Sequence, residues 1–204
     1  MNHEVNNVQV LHDSATTLFN NVVVGGECSA DSILNSLNHG IENLKSNWKG
    51  KDAGYRIQEV IAVHNAMVSV RNALAQLAVD SSKVAANYRE IQNANGAALE
   101  TLSVLSFELK NNLGEYSDNA DTIDINPSAE TGKNDIDTAN NALDTFMNEV
   151  KGKYNEIMEN WPKGTGRDNA QVAFDTFITN VDRYKQTLTD VSSNITKALQ
   201  NYTF

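Results

Sequence analysis

From Val60 the apolar positions step alternately by three and four: Val60, Val63, Met67, Val70, Leu74, Leu77, then Val84, Tyr88 and Ile91, with Ser81 the single polar member. That spacing is one face of a helix, and its alternation suits interdigitation with a neighbouring helix. Ile57, Ile61 and Val68 widen the stripe beyond a two-stranded seam, toward a bundle core. Upstream, Leu34, Leu37, Ile41, Leu44 and Trp48 follow the same rule, as do Val8, Leu11, Ala15, Leu18 and Val22. Between those two sets lies "GGECSA", where two glycines disfavour helix by roughly 1 kcal/mol each relative to alanine and predict a break.

After "NANGAA" (93–98) helical spacing resumes with Ala98, Leu102, Leu105, Leu109 and Leu113, which predicts a further helical segment. Residues 114–132, "GEYSDNADTIDINPSAETG", lose the period. They are acidic and small-polar, contain Pro127, and read as a linker. The stripe returns with Ile136, Ala139, Leu143, Phe146, Val150, Ile157 and Trp161, interrupted by Lys153. It continues with Phe174, Phe177, Val181, Tyr184, Leu188, Val191, Ile195, Ala198 and Tyr202. Strand-like alternation competes nowhere. The expected fold is all-α, with a first helix–turn–helix unit over 1–113, an acidic linker over 114–132 and a second unit over 133–204. Short turns make the helices within each unit antiparallel neighbours, and the whole predicts an elongated four-helix bundle. A helix from about Ala53 to Ile91 would span ~58 Å at 1.5 Å per residue.

Both predicted turns carry a tryptophan followed by glycine: "SNWKGKDAGY" around Trp48 and "ENWPKGTGRDNA" around Trp161. Each tryptophan is the last member of its apolar stripe, placed to close the end of a hairpin with its ring. Gly50 is expected to take the left-handed conformation that ends a helix, and Asp52 to cap the next one. In the second turn Pro162 disfavours helix at Trp161, Gly164 and Gly166 supply the turn, and Asp168 with Gln171 fits a capping box.

Helix, Trp-X-Gly and a second helix resembles the WXG family of small helical hairpins handled by type VII secretion systems, mainly of Gram-positive bacteria. Trp48-Lys49-Gly50 matches the motif literally, and Trp161-Pro162-Lys163-Gly164 is a degenerate copy with one extra residue. The resemblance implies head-to-tail pairs of hairpins forming four-helix bundles, here fused in one chain. It also implies export without a cleavable signal, and an Esx-like role as a secreted substrate or an escorting partner of an effector. The family's export motif, Tyr-x-x-x-Asp/Glu after a second helix, has its match only at Tyr55 to Glu59, at the start of a helix.

Charge changes the list of partners. Twenty-six acidic residues against 16 basic leave a net −10 over 204 residues. A polyanion must meet clustered lysine and arginine, so nucleic acid and anionic membrane are not expected partners. Cys28 is the single cysteine, which forbids an internal disulfide. The first residues lack the basic and continuous apolar segments of a standard signal peptide, and no run reaches the ~18 apolar residues of a membrane span. The expected location is therefore the cytoplasm before export, or outside the cell by a route that reads no cleavable signal.

No catalytic constellation emerges, and neither cofactor nor metal is expected. His3, His12, His39 and His64 lack ligand spacing, and Asp124, Asn126, Ser128 and Asp135 fail as a calcium loop because Ala129 holds the glycine position. Gly164, Gly166 and Arg167 lack the strand and the Gly-Lys-Ser/Thr ending of a phosphate loop. His64 and Arg71 flank the stripe, and Arg71 is expected to snorkel. The expected function is binding of a protein partner by helix packing, with Leu102, Leu105, Leu109 and Leu113 as the candidate docking face. Two other classes remain: a membrane-active helical toxin component, for which "AALETLSVLSFEL" is the apolar segment, and a phage or cell-envelope structural bundle.

Overall fold

The longest run of three-and-four spacing becomes the longest helix. In the computed structural model, which describes residues 5–161 and 163–202, α3 extends over Lys51–Ala94 and buries Ile57, Val60, Ile61, Val63, Met67 and Leu74 among others. Ahead of it come α1 (Val8–Thr17), a π-helical stretch over Leu18–Gly25, and α2 (Ala30–Asn47). The glycine pair produces the expected break: Gly26 is extended, and the Ser29 side chain caps α2 by accepting the Ser32 N–H at 3.2 Å. After α3 the chain regains helix only at α4 (Ala129–Asn160), followed by α5 (Thr165–Tyr202).

The protein is mostly helical, and its helices pack against one another. α2 lies against α3 and α4, α5 against α3 and α4, and α1 against α3 and α4. One core runs through the molecule, from Leu11 and Leu18 through Leu37, Ile41 and Leu44 to Phe146, Val150, Leu188 and Ile195. Lys153 does not interrupt the α4 stripe, because the chain buries Tyr154 in that place. Two glycines let α2 and α4 cross closely: a Cβ on Gly40 would stand 3.0 Å from the Gly132 carbonyl oxygen. At that distance the neighbouring backbone has to give way, so the small pair sets the approach.

The segment from Ala98 to Leu113 departs from the expectation. It is not helical. Residues 97–123 form neither helix nor strand, and they run back along α3 to the Trp48 turn. There a two-residue strand β2 (Asp124–Ile125) pairs antiparallel with β1 (Trp48–Lys49), in the register Trp48 to Ile125 and Lys49 to Asp124. The non-helical connection thus begins at the end of α3, near residue 95, and includes the stretch read as helix. The apolar period there is real, but it serves a different geometry, described below.

Candidate functional site: an extended strap read by the long helix

The strap is held by side chains of α3 that bind its backbone. Asn65 Nδ2 donates to the Leu113 carbonyl at 3.0 Å, and Asn65 Oδ1 accepts the Leu113 N–H at 2.8 Å. Asn72 does the same to Lys110, at 2.8 and 3.0 Å. Gln58 Oε1 accepts the Tyr116 N–H at 2.7 Å. These readers are seven residues apart on α3, and the residues they read are three apart on the strap. Seven helical residues rise about 10.5 Å, and three extended residues cover about 9–10 Å, so the two chains stay in step. Asn93 repeats the two-bonded arrangement with Leu99, at 2.8 and 2.7 Å. Between them Ser82 Oγ accepts the Leu105 N–H at 3.0 Å and Arg89 donates to the Glu100 carbonyl at 2.8 Å.

This arrangement answers the accounting problem of an extended chain with no strand beside it. A backbone amide withdrawn from water must find a partner, and here the partners are amides, a hydroxyl and guanidinium groups on a helix. The other wall of the groove is α1–α2. His12 Nε2 donates to the Ser103 carbonyl at 2.9 Å, and Lys45 lies over the Tyr116 ring at 5.4 Å.

Arg71 does not snorkel. It is 4 % exposed and ties three segments together. Its Nε meets Asp31 of α2 at 2.9 Å, one terminal nitrogen donates to the Glu108 carbonyl at 2.8 Å, and the guanidinium covers the Phe107 ring at 5.7 Å. Phe107 and Leu109 line a shallow pocket with Phe19 and Val24 of the π-helical stretch. His64 is also buried, and its Nδ1 lies 3.1 Å from Asn65 Oδ1; desolvation lowers its pKa below the ordinary value.

The four leucines of the candidate docking face share no helical face. Leu102, Leu105 and Leu113 are half-buried against the core, whereas Leu109 is 68 % exposed. Other large apolar groups on the strap, Leu99 and Val104, are exposed as well.

At the first tryptophan turn the ring of Trp48 is 1 % exposed. Two details differ from the sequence expectation. Trp48 itself, in extended conformation, is the C-cap of α2, and Gly50 is the N-cap of α3, with φ 114° and ψ 165°. That conformation belongs almost solely to glycine, but it is not the left-handed helical one. Asp52 is no cap: it lies in the first turn of α3 and pairs with Arg56 at 3.6 Å. The acceptor for the Gly50 N–H is Asp118 of the strap. The N–H groups of Ala120 and then Gly50 hold its carboxyl below the ordinary range.

Gly54 completes the crossing: a Cβ there would collide with the Asp118 backbone nitrogen and stand 3.1 Å from its carbonyl oxygen. Glycines 50 and 54 therefore serve the strap as well as the turn. Lys51 adds an ion pair to Asp121 at 2.6 Å.

At the second turn Trp161 is buried and caps α4, while Pro162 lies outside the described residues. The backbone of Gly164 packs against the Trp161 indole, where any Cβ would overlap the ring. Asp168 is not a cap here. α5 begins at Thr165, so Asp168 falls in its first turn, donates its backbone N–H to the Gly164 carbonyl at 3.0 Å and pairs with Arg167. Tyr55 is exposed, and its fourth neighbour Glu59 pairs with Arg56 at 3.0 Å.

Among the described residues no group of three or more histidine, cysteine, aspartate or glutamate side chains is placed to hold a metal, and no helix is long and apolar enough to cross a membrane. No family model, curated protein or solved structure matches the chain.

Proposed function

We propose that this chain is a non-catalytic, WXG-like protein of a type VII secretion route, acting as a secreted substrate or as a helical partner that escorts an effector. In this reading one polypeptide supplies both hairpins of a four-helix bundle, α1–α2 with α3 and α4 with α5. The observation that carries it is the Trp48-Lys49-Gly50 turn. The tryptophan is buried at the junction of two amphipathic helices, and Gly50 has a backbone that glycine alone adopts readily. The buried Trp161 against Gly164 between α4 and α5 repeats the device. The effector docks by helix packing, and Leu109 is the candidate docking leucine that stands free of the core.

The test is export and association in a host that carries a type VII apparatus. The chain should be recovered from the medium in a way that vanishes when the membrane ATPase of the apparatus is deleted, or it should co-purify with a co-expressed effector whether or not that ATPase is present. Recovery unaffected by that deletion, with no associated effector, would overturn the secretion reading.

A further inference from the structure

We propose that the groove between α1–α2 and α3 is a receptor site for an acidic, extended segment of another polypeptide, and that residues 99–116 occupy it in cis as a displaceable strap. This goes beyond the secretion reading and stands without it. Three observations carry it.

Recognition in the groove is recognition of backbone. Gln58, Asn65, Asn72 and Asn93 bind N–H and C=O groups of the strap. Such contacts accept any extended chain that presents the same spacing, as strand-adding receptors do. The side-chain requirement is half-burial of Leu102 and Leu105, of Phe107 beneath Arg71, and of Leu113 and Tyr116.

Charge supplies the second observation. Residues 99–116 hold three carboxylates, Glu100, Glu108 and Glu115, against one lysine, Lys110. The groove meets this segment with Arg71 and Arg89 on the Glu108 and Glu100 carbonyls and with Lys45 over the Tyr116 ring, while Arg71 and Lys45 also pair with Asp31 and Glu42. Arg89 is 7 % exposed, its Nε has no hydrogen-bond partner, and among the described residues no carboxylate lies within ion-pairing distance of it. Glu100 meets Arg89 by its carbonyl alone. The other terminal nitrogen of Arg89 donates to Gln9 Oε1 at 2.7 Å, so the guanidinium is hydrogen-bonded to neutral oxygens but has no carboxylate partner, which a ligand with a better-placed carboxylate would supply.

The strap is also built to leave. At its head Gly96 has φ 91° with open space around it, and Ala98 takes φ 50°, a conformation unfavourable for a residue with a Cβ. Leu99, Val104 and Leu109 are exposed. Because both ends are tethered, the strap competes at millimolar effective concentration, and a ligand in trans binds well only when the strap is weakened.

The experiment uses a labelled synthetic peptide with the sequence of residues 98–117 and the full chain. On wild type its fluorescence anisotropy should show weak binding. Leu102→Gly with Leu105→Gly loosens the strap and leaves the readers intact, so the peptide should bind about tenfold or more tightly, less so at 500 mM than at 50 mM salt. Adding Asn65→Ala and Asn72→Ala should abolish that gain. Self-association of the loosened variant, removed by the same two asparagine changes, would be the same recognition with a second copy as donor. A folded, loosened variant that binds the peptide no better than wild type overturns the proposal. So does a gain that survives loss of Asn65 and Asn72. If the loosened variant does not fold, hydrogen exchange on wild type decides. The Lys110 and Leu113 amides should open locally, far more often than the α3 core. Exchange of both only through global unfolding overturns the proposal.

Discussion

Asn65 and Leu113 are joined edge to edge: one side-chain amide accepts the leucine N–H at 2.8 Å and donates to its carbonyl at 3.0 Å. A primary amide presents a donor and an acceptor side by side, the pair that a neighbouring strand would offer. Asn65→Ala removes both. The expected loss is about 1–2 kcal/mol, since the strap is only half withdrawn from water. Amide exchange at Leu113 should accelerate while amides around Val70 and Leu74 keep their protection. Uniform acceleration along α3 would show that the strap does not open separately from the helix.

Gly54→Ala reverses the usual sign. Alanine in a helix interior ordinarily stabilises by about 1 kcal/mol over glycine. Here the new methyl would meet the Asp118 backbone. The expected outcome is a loss of about 1–3 kcal/mol, read by chemical denaturation. Proteolysis within residues 114–121 should rise in parallel. A more stable variant would mean that the crossing yields at little cost.

Trp48→Ala should cost about 3–5 kcal/mol, because the ring is 1 % exposed and joins the core. Urea denaturation measures it. A loss below about 1 kcal/mol would show that the hairpin closes without the ring, and would point to recognition as the reason for the tryptophan.

His64 makes stability depend on pH. Desolvation lowers its folded-state pKa below the ordinary value of 6.5, so the unfolded chain takes up a proton first. Its neutral folded form contributes in full above that ordinary value, and the contribution falls away as pH drops below it. Wild-type stability should therefore decline from pH 7 toward pH 5. His64→Gln should flatten that decline. An unchanged slope would place the titrating group elsewhere.

Acid also loosens the strap's far end. The Asp118 carboxyl is held below its ordinary pKa by the Ala120 and Gly50 N–H groups, so its ionised form favours the folded state. That contribution is present above the ordinary carboxylate pKa of 3.8 and is lost as pH falls through the lower folded value. Exchange of the Gly50 and Ala120 amides, corrected for intrinsic rates, should rise in that range, and Asp118→Ala should produce the same opening at neutral pH.

The sequence by itself determined the inward faces of the long helices and the places where the chain breaks between them. Three-and-four spacing sustained over many turns indicates which residues of α2, α3, α4 and α5 face inward, because a helix with a period near 3.6 brings them to one side. The glycine pair at 25–26 and the two tryptophan turns mark the interruptions for equally local reasons. Leu102, Leu105, Leu109 and Leu113 show where such reasoning ends. Spacings of three and four are compatible with a helix, and spacings of three also suit a chain with three residues per turn. Nothing within residues 98–113 chooses between them. The choice belongs to Gln58, Asn65, Asn72 and Asn93, whose seven-residue recurrence is written on a different segment and has meaning only once the two lie side by side. The same holds for Asp118, which binds the Gly50 N–H in place of Asp52, and for Arg71, whose burial depends on Asp31 forty residues away. Caps and charge pairs between distant segments leave no local period, so only the tertiary structure decided them.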